Sequence, residues 1–139
     1  MIICDTGPLA AAALSKDLHH ASCVRLFNDL HAAHRELLIP ATVIAEVGYL
    51  LNREAGPRLE SLFLRSIADG DFTAVDLITA DYARMADLVE QYGDLPLGTT
   101  DASVVAVAER LKLTEVATLD RRHFTVIRPA HADALTLLP

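Results

Sequence analysis

Four acids in this chain stand where their side chains could act together. Asp5 closes the apolar run MIIC and leads into the turn Thr6-Gly7-Pro8. Glu46 sits between Ala45 and Val47 in a stretch with few other charges, Asp101 lies near the start of TTDASVVAVAERL, and Asp120 ends VATLD. Carboxylates a few ångströms apart raise one another's pKa or repel. A divalent cation resolves that conflict. Magnesium, or manganese in its place, binds carboxylate oxygens and keeps several waters, which suits phosphate chemistry. Taken singly, each acid has a plainer use: Asp5 and Asp101 as helix-capping acids, Asp120 in a turn, Glu46 as a half-exposed helix acid. Their joint placement is what points to a site.

Those acids need elements to carry them. Met1 to Asp5 reads as a short buried strand whose carboxyl end delivers Asp5. An Ala-rich helix over 9–14 follows, then a longer one from about Asp17 to His34. Leu37-Leu38-Ile39 is a brief strand closed by Pro40, and 42–53 is a helix with Val43, Val47, Leu50 and Leu51 on one face. Gly56-Pro57 breaks it. A helix over 57–68, a strand over 72–77 and a helix capped by Thr79 with Asp81 and ended by Gly93 come next. Leu95 to Gly98 is a loop holding Asp94 at its edge, and Thr99 or Thr100 caps the helix that contains Asp101. Val116 to Leu119 predicts a strand ending at Asp120, with a further short strand at Thr125-Val126-Ile127. Strands alternating with helices predict one α/β domain, a three-layer α/β/α sandwich around a mostly parallel sheet. Such sheets bind ligands outside the carboxyl ends of their strands, where Asp5 and Asp120 are expected.

With these residues in order, the chain resembles the PIN-domain ribonucleases. The resemblance rests on the strand before Asp5-Thr6-Gly7, Glu46 within TVIAEVGYLL, Asp101 within TTDASVVAVAERL, and the T-x-D-x-x-x-F form of Thr118 to Phe124. Within that family a short single-domain chain is similar to the VapC-type toxins of toxin–antitoxin pairs. The resemblance implies a PIN-like fold over 1–139 and magnesium-dependent endoribonuclease activity on structured RNA, tRNA or rRNA, that inhibits translation. It implies Asp5 and Asp101 as principal metal ligands, Glu46 and Asp120 completing the acidic site, and Thr6 and Thr118 as supporting hydroxyls. Arg121, Arg122 and His123 would hold RNA phosphates beside the metal, the alternative being a solvated charged turn. The implied partners are RNA and a VapB-type antitoxin, with DNA reached only through the antitoxin; a homodimer is expected separately, from the surplus of apolar residues.

Composition bounds these readings. The 139 residues are 52% hydrophobic and 5% aromatic, with 12 Lys and Arg against 19 Asp and Glu, a formal charge of −7. A chain of this length buries roughly two-thirds of its unfolded surface in one core. The pI near 5.2 argues against broad electrostatic adhesion to nucleic acid, and few aromatics argue against a single-strand stacking platform. Mean hydropathy is +0.29, yet no apolar stretch reaches the ~18 residues of a membrane span, so the surplus points to a subunit interface. The N-terminus has no basic segment before its apolar run, and a cytoplasmic protein is expected. Cys4 and Cys23 read as reduced, packed thiols, and the six His show no zinc spacing.

Three rivals meet specific objections. Asp5-Thr6-Gly7 also occurs in aspartic proteases, but these are all-β proteins, and this chain is Ala-rich and helical. A haloacid-dehalogenase-type phosphatase needs a second Asp two residues after the nucleophile, where Gly7 stands. A non-catalytic α/β module that binds metal or a basic partner is the alternative from another class, and metal-dependent cleavage separates it from a nuclease.

Overall fold

Every residue of β1 (Ile2–Cys4) is fully buried, because this strand is the middle of its sheet and is covered on both faces. The computed structural model describes residues 1–139. β2 (Leu37–Pro40), β3 (Thr73–Val75), β4 (Glu115–Ala117) and β5 (Thr136–Leu138) complete a five-stranded sheet in the order β3-β2-β1-β4-β5. All pairings are parallel, with Ile3 opposite Leu38 on one side and Val116 on the other. The chain moves outward from β1 to β2 and β3, then returns to lay β4 against the other edge of β1. β1 and β4 therefore flank the point where strand order reverses, and a crevice opens there beyond their carboxyl ends.

The helices follow from local sequence. α1 (Thr6–Ala13) and α2 (His20–Ala32) connect β1 to β2; α3 (Ala41–Ala55) and α4 (Pro57–Ala68) connect β2 to β3. Between α3 and α4 the chain turns at Gly56, whose φ of 88° is open to glycine, and Pro57 starts the next helix where its missing N–H costs nothing. α5 (Thr79–Gln91) and α6 (Thr99–Leu111) lead to β4 and pack on each other. Ala102 through Ala108 of α6 are all buried, so its small and β-branched residues run through the interior. Full burial of a Val contributes roughly 1.5–3 kcal/mol, and Val104, Val105 and Val107 each reach it. Cys4 and Cys23 are free and buried.

Several boundaries differ from expectation. The segment Thr125-Val126-Ile127 is no strand: α7 (Arg121–Val126) takes its first two residues. Asp120 caps that helix by accepting from His123 N at 3.0 Å, and burial of Phe124 holds it, which outweighs the β-propensity of the three residues. β4 stops at Ala117, so Asp120 lies three residues past its end, and the final strand is β5. Helix α1 begins at Thr6 rather than Leu9, with Asp5 as its extended N-cap residue. Gly98, not Thr99 or Thr100, is the N-cap residue of α6, and Ile78 that of α5, where Asp81 Oδ2 accepts from Ile78 N. α2 starts at His20, because Asp17 instead accepts from His19 N in a turn.

Candidate active site

Four elements bring the acids to one crevice. Asp5 leaves β1 at the switch point and is 5% exposed, so its carboxylate is largely withdrawn from water. Glu46 lies in the second turn of α3, which springs directly from β2, and its side chain is exposed. Asp101 is in the first turn of α6 and Asp120 caps α7, both half-buried. Gly7 lets this happen closely: a Cβ there would stand 3.3 Å from Leu119 Cβ, so α1 approaches the segment carrying Asp120 without a side chain between.

The hydroxyls between the acids are hydrogen-bonded to them. Thr118, 1% exposed, donates from Oγ1 to Asp5 Oδ2 at 2.8 Å and accepts from Asp120 N at 3.0 Å, tying the two strand ends together. Thr6 Oγ1 donates to Glu46 Oε2 at 2.8 Å. Burial pushes the Asp5 carboxyl up to about 6; Thr6 N–H and Thr118 oppose the rise, and Asp101 and Glu46 add to it. Asp101 is raised as well, by burial first, with His123 opposing and Asp120 and Glu46 adding. The four acids thus share one electrostatic neighbourhood.

No Lys or Arg pairs with any of the four; His123 alone reaches two of them. Crowded oxygen donors, one of them buried and held charged only against a cost, fit a hard divalent cation.

A protein-family model described as PIN domain matches residues 2–128. The chain belongs to the PIN-domain family. Among curated relatives, Ribonuclease VapC26 of Mycobacterium tuberculosis (strain ATCC 25618 / H37Rv) is 30% identical over 138 residues, covering 99% of this chain and 100% of that one, which makes this a VapC-type PIN domain. Among solved structures, M. tuberculosis VapC20, a Sarcin-Ricin loop cleaving toxin, superposes with a TM-score of 0.74 at 19% identity, covering 84% of this chain and 87% of that one. FitAcB from Neisseria gonorrhoeae gives 0.61 at 16% identity, covering 100% and 97%. The two structures share the fold of this PIN domain.

The side chains of the three residues after Asp120 go to different places. Arg121 donates to the Pro139 carbonyl at 2.6 Å, Arg122 is exposed, and His123 turns inward to Asp101 and Asp120. Asp94 is exposed in the loop between α5 and α6. A link not foreseen from sequence joins the helices of Glu46 and Asp101: the Thr42 and Ser103 hydroxyls lie 2.6 Å apart, with Ser103 fully buried. Thr42 is four residues before Glu46 and Ser103 two after Asp101, so this pair fixes the spacing of both acids. A Ser within an otherwise apolar helix interior was the available signal.

Proposed function

We propose that this VapC-type PIN domain is a metal-dependent endoribonuclease that hydrolyses phosphodiester bonds in structured RNA, tRNA or rRNA, and so inhibits translation in the cytoplasm as the toxin of a toxin–antitoxin pair. The observation that carries this reading is the crowding of four carboxylates from four helices or their caps at the switch point, unneutralised by Lys or Arg. The 30% identity to a ribonuclease along the whole chain supports the same reaction.

Asp5 and Asp101 are the principal ligands for Mg2+, for which Mn2+ can substitute, and Asp120 and Glu46 complete the acidic set. A bound divalent ion supplies charge stabilisation to the phosphate and lowers the pKa of a bound water. Thr118 holds Asp5 Oδ2 and the Asp120 backbone at once, so these two acids keep a constant separation. Thr6 fixes Glu46, whose exposed side chain orients the attacking water in this reading. Arg122, an exposed side chain two residues after Asp120, holds an RNA phosphate in this reading, with Arg121 next to it.

A VapB-type antitoxin is the partner, and DNA is reached only through it. A groove of about 910 Å³ beside the crevice is lined by Thr6, Gly7 and Leu119, by Leu59 and Leu62, and by Arg53 and Arg58. It offers an antitoxin segment an apolar floor. A homodimer accounts for the exposed apolar side chains elsewhere, including Tyr82 and Leu64, whereas Phe63 lies in the core.

Incubating total RNA with the partner-free protein in Mg2+ and in EDTA tests the activity. Cleavage in Mg2+, its loss in EDTA and its loss in Asp101→Asn are expected. Absence of metal-dependent cleavage would favour the non-catalytic binding module.

A further inference from the structure

His123 contacts the acids in a way that neither fold nor capping requires. Its backbone N–H donates to Asp120 Oδ1, which settles the start of α7. That leaves Asp120 Oδ2 free, and it lies 2.9 Å from His123 Nδ1. On the other side Nδ1 lies 3.0 Å from Asp101 Oδ2. One nitrogen and two carboxylate oxygens, each from a different residue, therefore lie within 4.8 Å of one another. The imidazole is half-buried, with 17% of its side chain exposed, so it is held in this orientation rather than sweeping through solvent.

We propose that His123 is a nitrogen ligand, through Nδ1, of the divalent cation held by Asp101 and Asp120, and that it biases the centre toward manganese over magnesium. This rests on the reading of the acidic crevice as a metal site. Neutral imidazole offers a lone pair at one nitrogen while the other keeps its proton, and transition ions use that lone pair well. Magnesium holds to oxygen donors and retained waters, so a nitrogen in the set favours it less. The main-chain bond from His123 to Asp120 fixes both donors relative to each other before any ion arrives. Ligand positions set in advance in this way are what a selective centre needs. His123 would then act at the metal instead of on an RNA phosphate.

The alternative is that His123 only steadies Asp101 by hydrogen bonding. His123→Asn distinguishes the two, since the amide keeps a short polar donor near both carboxylates and removes the imidazole. The experiment records electron spin-echo spectra of the Mn2+-loaded full chain and titrates Mn2+ and Mg2+ calorimetrically, for wild type and variant, with circular dichroism to compare folding. Nitrogen-14 modulation from a bound imidazole is expected in wild type and absent in the variant. The ratio of Mn2+ to Mg2+ affinity is expected to fall about tenfold. Wild-type Mn2+ binding without imidazole modulation, or an unchanged ratio in His123→Asn, overturns the proposal and leaves the metal site standing. Failure of wild type to bind either ion overturns both. The wild-type spectrum decides the matter even if the variant does not fold.

Discussion

Asp5 is buried behind the end of β1, and that burial pushes its pKa up to about 6 from an ordinary carboxylate value of 3.8. The folded protein therefore holds this proton more tightly than the unfolded chain. Between about 4 and about 6 the stability of the metal-free protein falls as pH rises, and above that window the whole cost, on the order of 3 kcal/mol, is present. Asp5→Asn removes the charge and keeps the shape. In EDTA at pH 7.5 it is expected to raise Tm, while RNA cleavage in Mg2+ falls at least ~100-fold. Thermal melts across pH check this: a variant no more stable than wild type, or wild-type stability rising through the window, would refute the cost assigned to Asp5. The four acids were legible in the sequence because Asp5 and Asp120 end apolar runs, Asp101 opens one and Glu46 stands within one. The inward turn of His123 was not, since it depends on a helical i to i+3 relation to Asp120, and the β-branched residues Thr125 to Ile127 suggested a strand instead.

The elements carrying the acids are fastened far from the crevice. α6 presents Asp101 at its start and, three turns on, bonds α5 through two ion pairs. Arg110 reaches Asp81 at 3.0 Å, where Asp81 is 3% exposed, and Arg84 reaches Glu109 at 2.8 Å in a more open setting. Breaking a buried pair leaves one charge uncompensated, so Arg110→Met is expected to cost about 3 kcal/mol, whereas Arg84→Met costs less. Urea unfolding measures both, and equal losses would contradict the ranking. Helices α1 to α6 were readable from periodicity and from the breaks at Gly56-Pro57 and Gly93, whereas α7 was not. β5 was missed because Thr136-Leu137-Leu138 is too short to show a period, and only its pairing with Glu115, Val116 and Ala117 makes it a strand. The caps were misplaced by a residue or two, since Gly98 and Ile78 take the extended position that the sequence suggested for threonines.

For the whole molecule, charge and apolar surface point outward to partners. Of the net seven negative charges, four lie among the acids of the crevice, leaving a mildly acidic remainder. RNA binding is then expected to depend on the metal and on Arg122 more than on a general basic surface. No helix is long and apolar enough to cross a membrane. Ile78 at the cap of α5 and Tyr82 and Val89 along it stand exposed, and sedimentation at micromolar concentration is expected to show a dimer; a monomer would count against the interface. The central claim is that the crevice hydrolyses RNA with a water aligned among its carboxylates, and the chemistry of the product ends tests it most directly. Attack by water with departure of the 3′ oxygen leaves 3′-hydroxyl and 5′-phosphate ends, and these are expected from wild type in Mg2+ and from neither Asp101→Asn nor wild type in EDTA. Products ending in 2′,3′-cyclic phosphate, or the same cuts in EDTA, would contradict it.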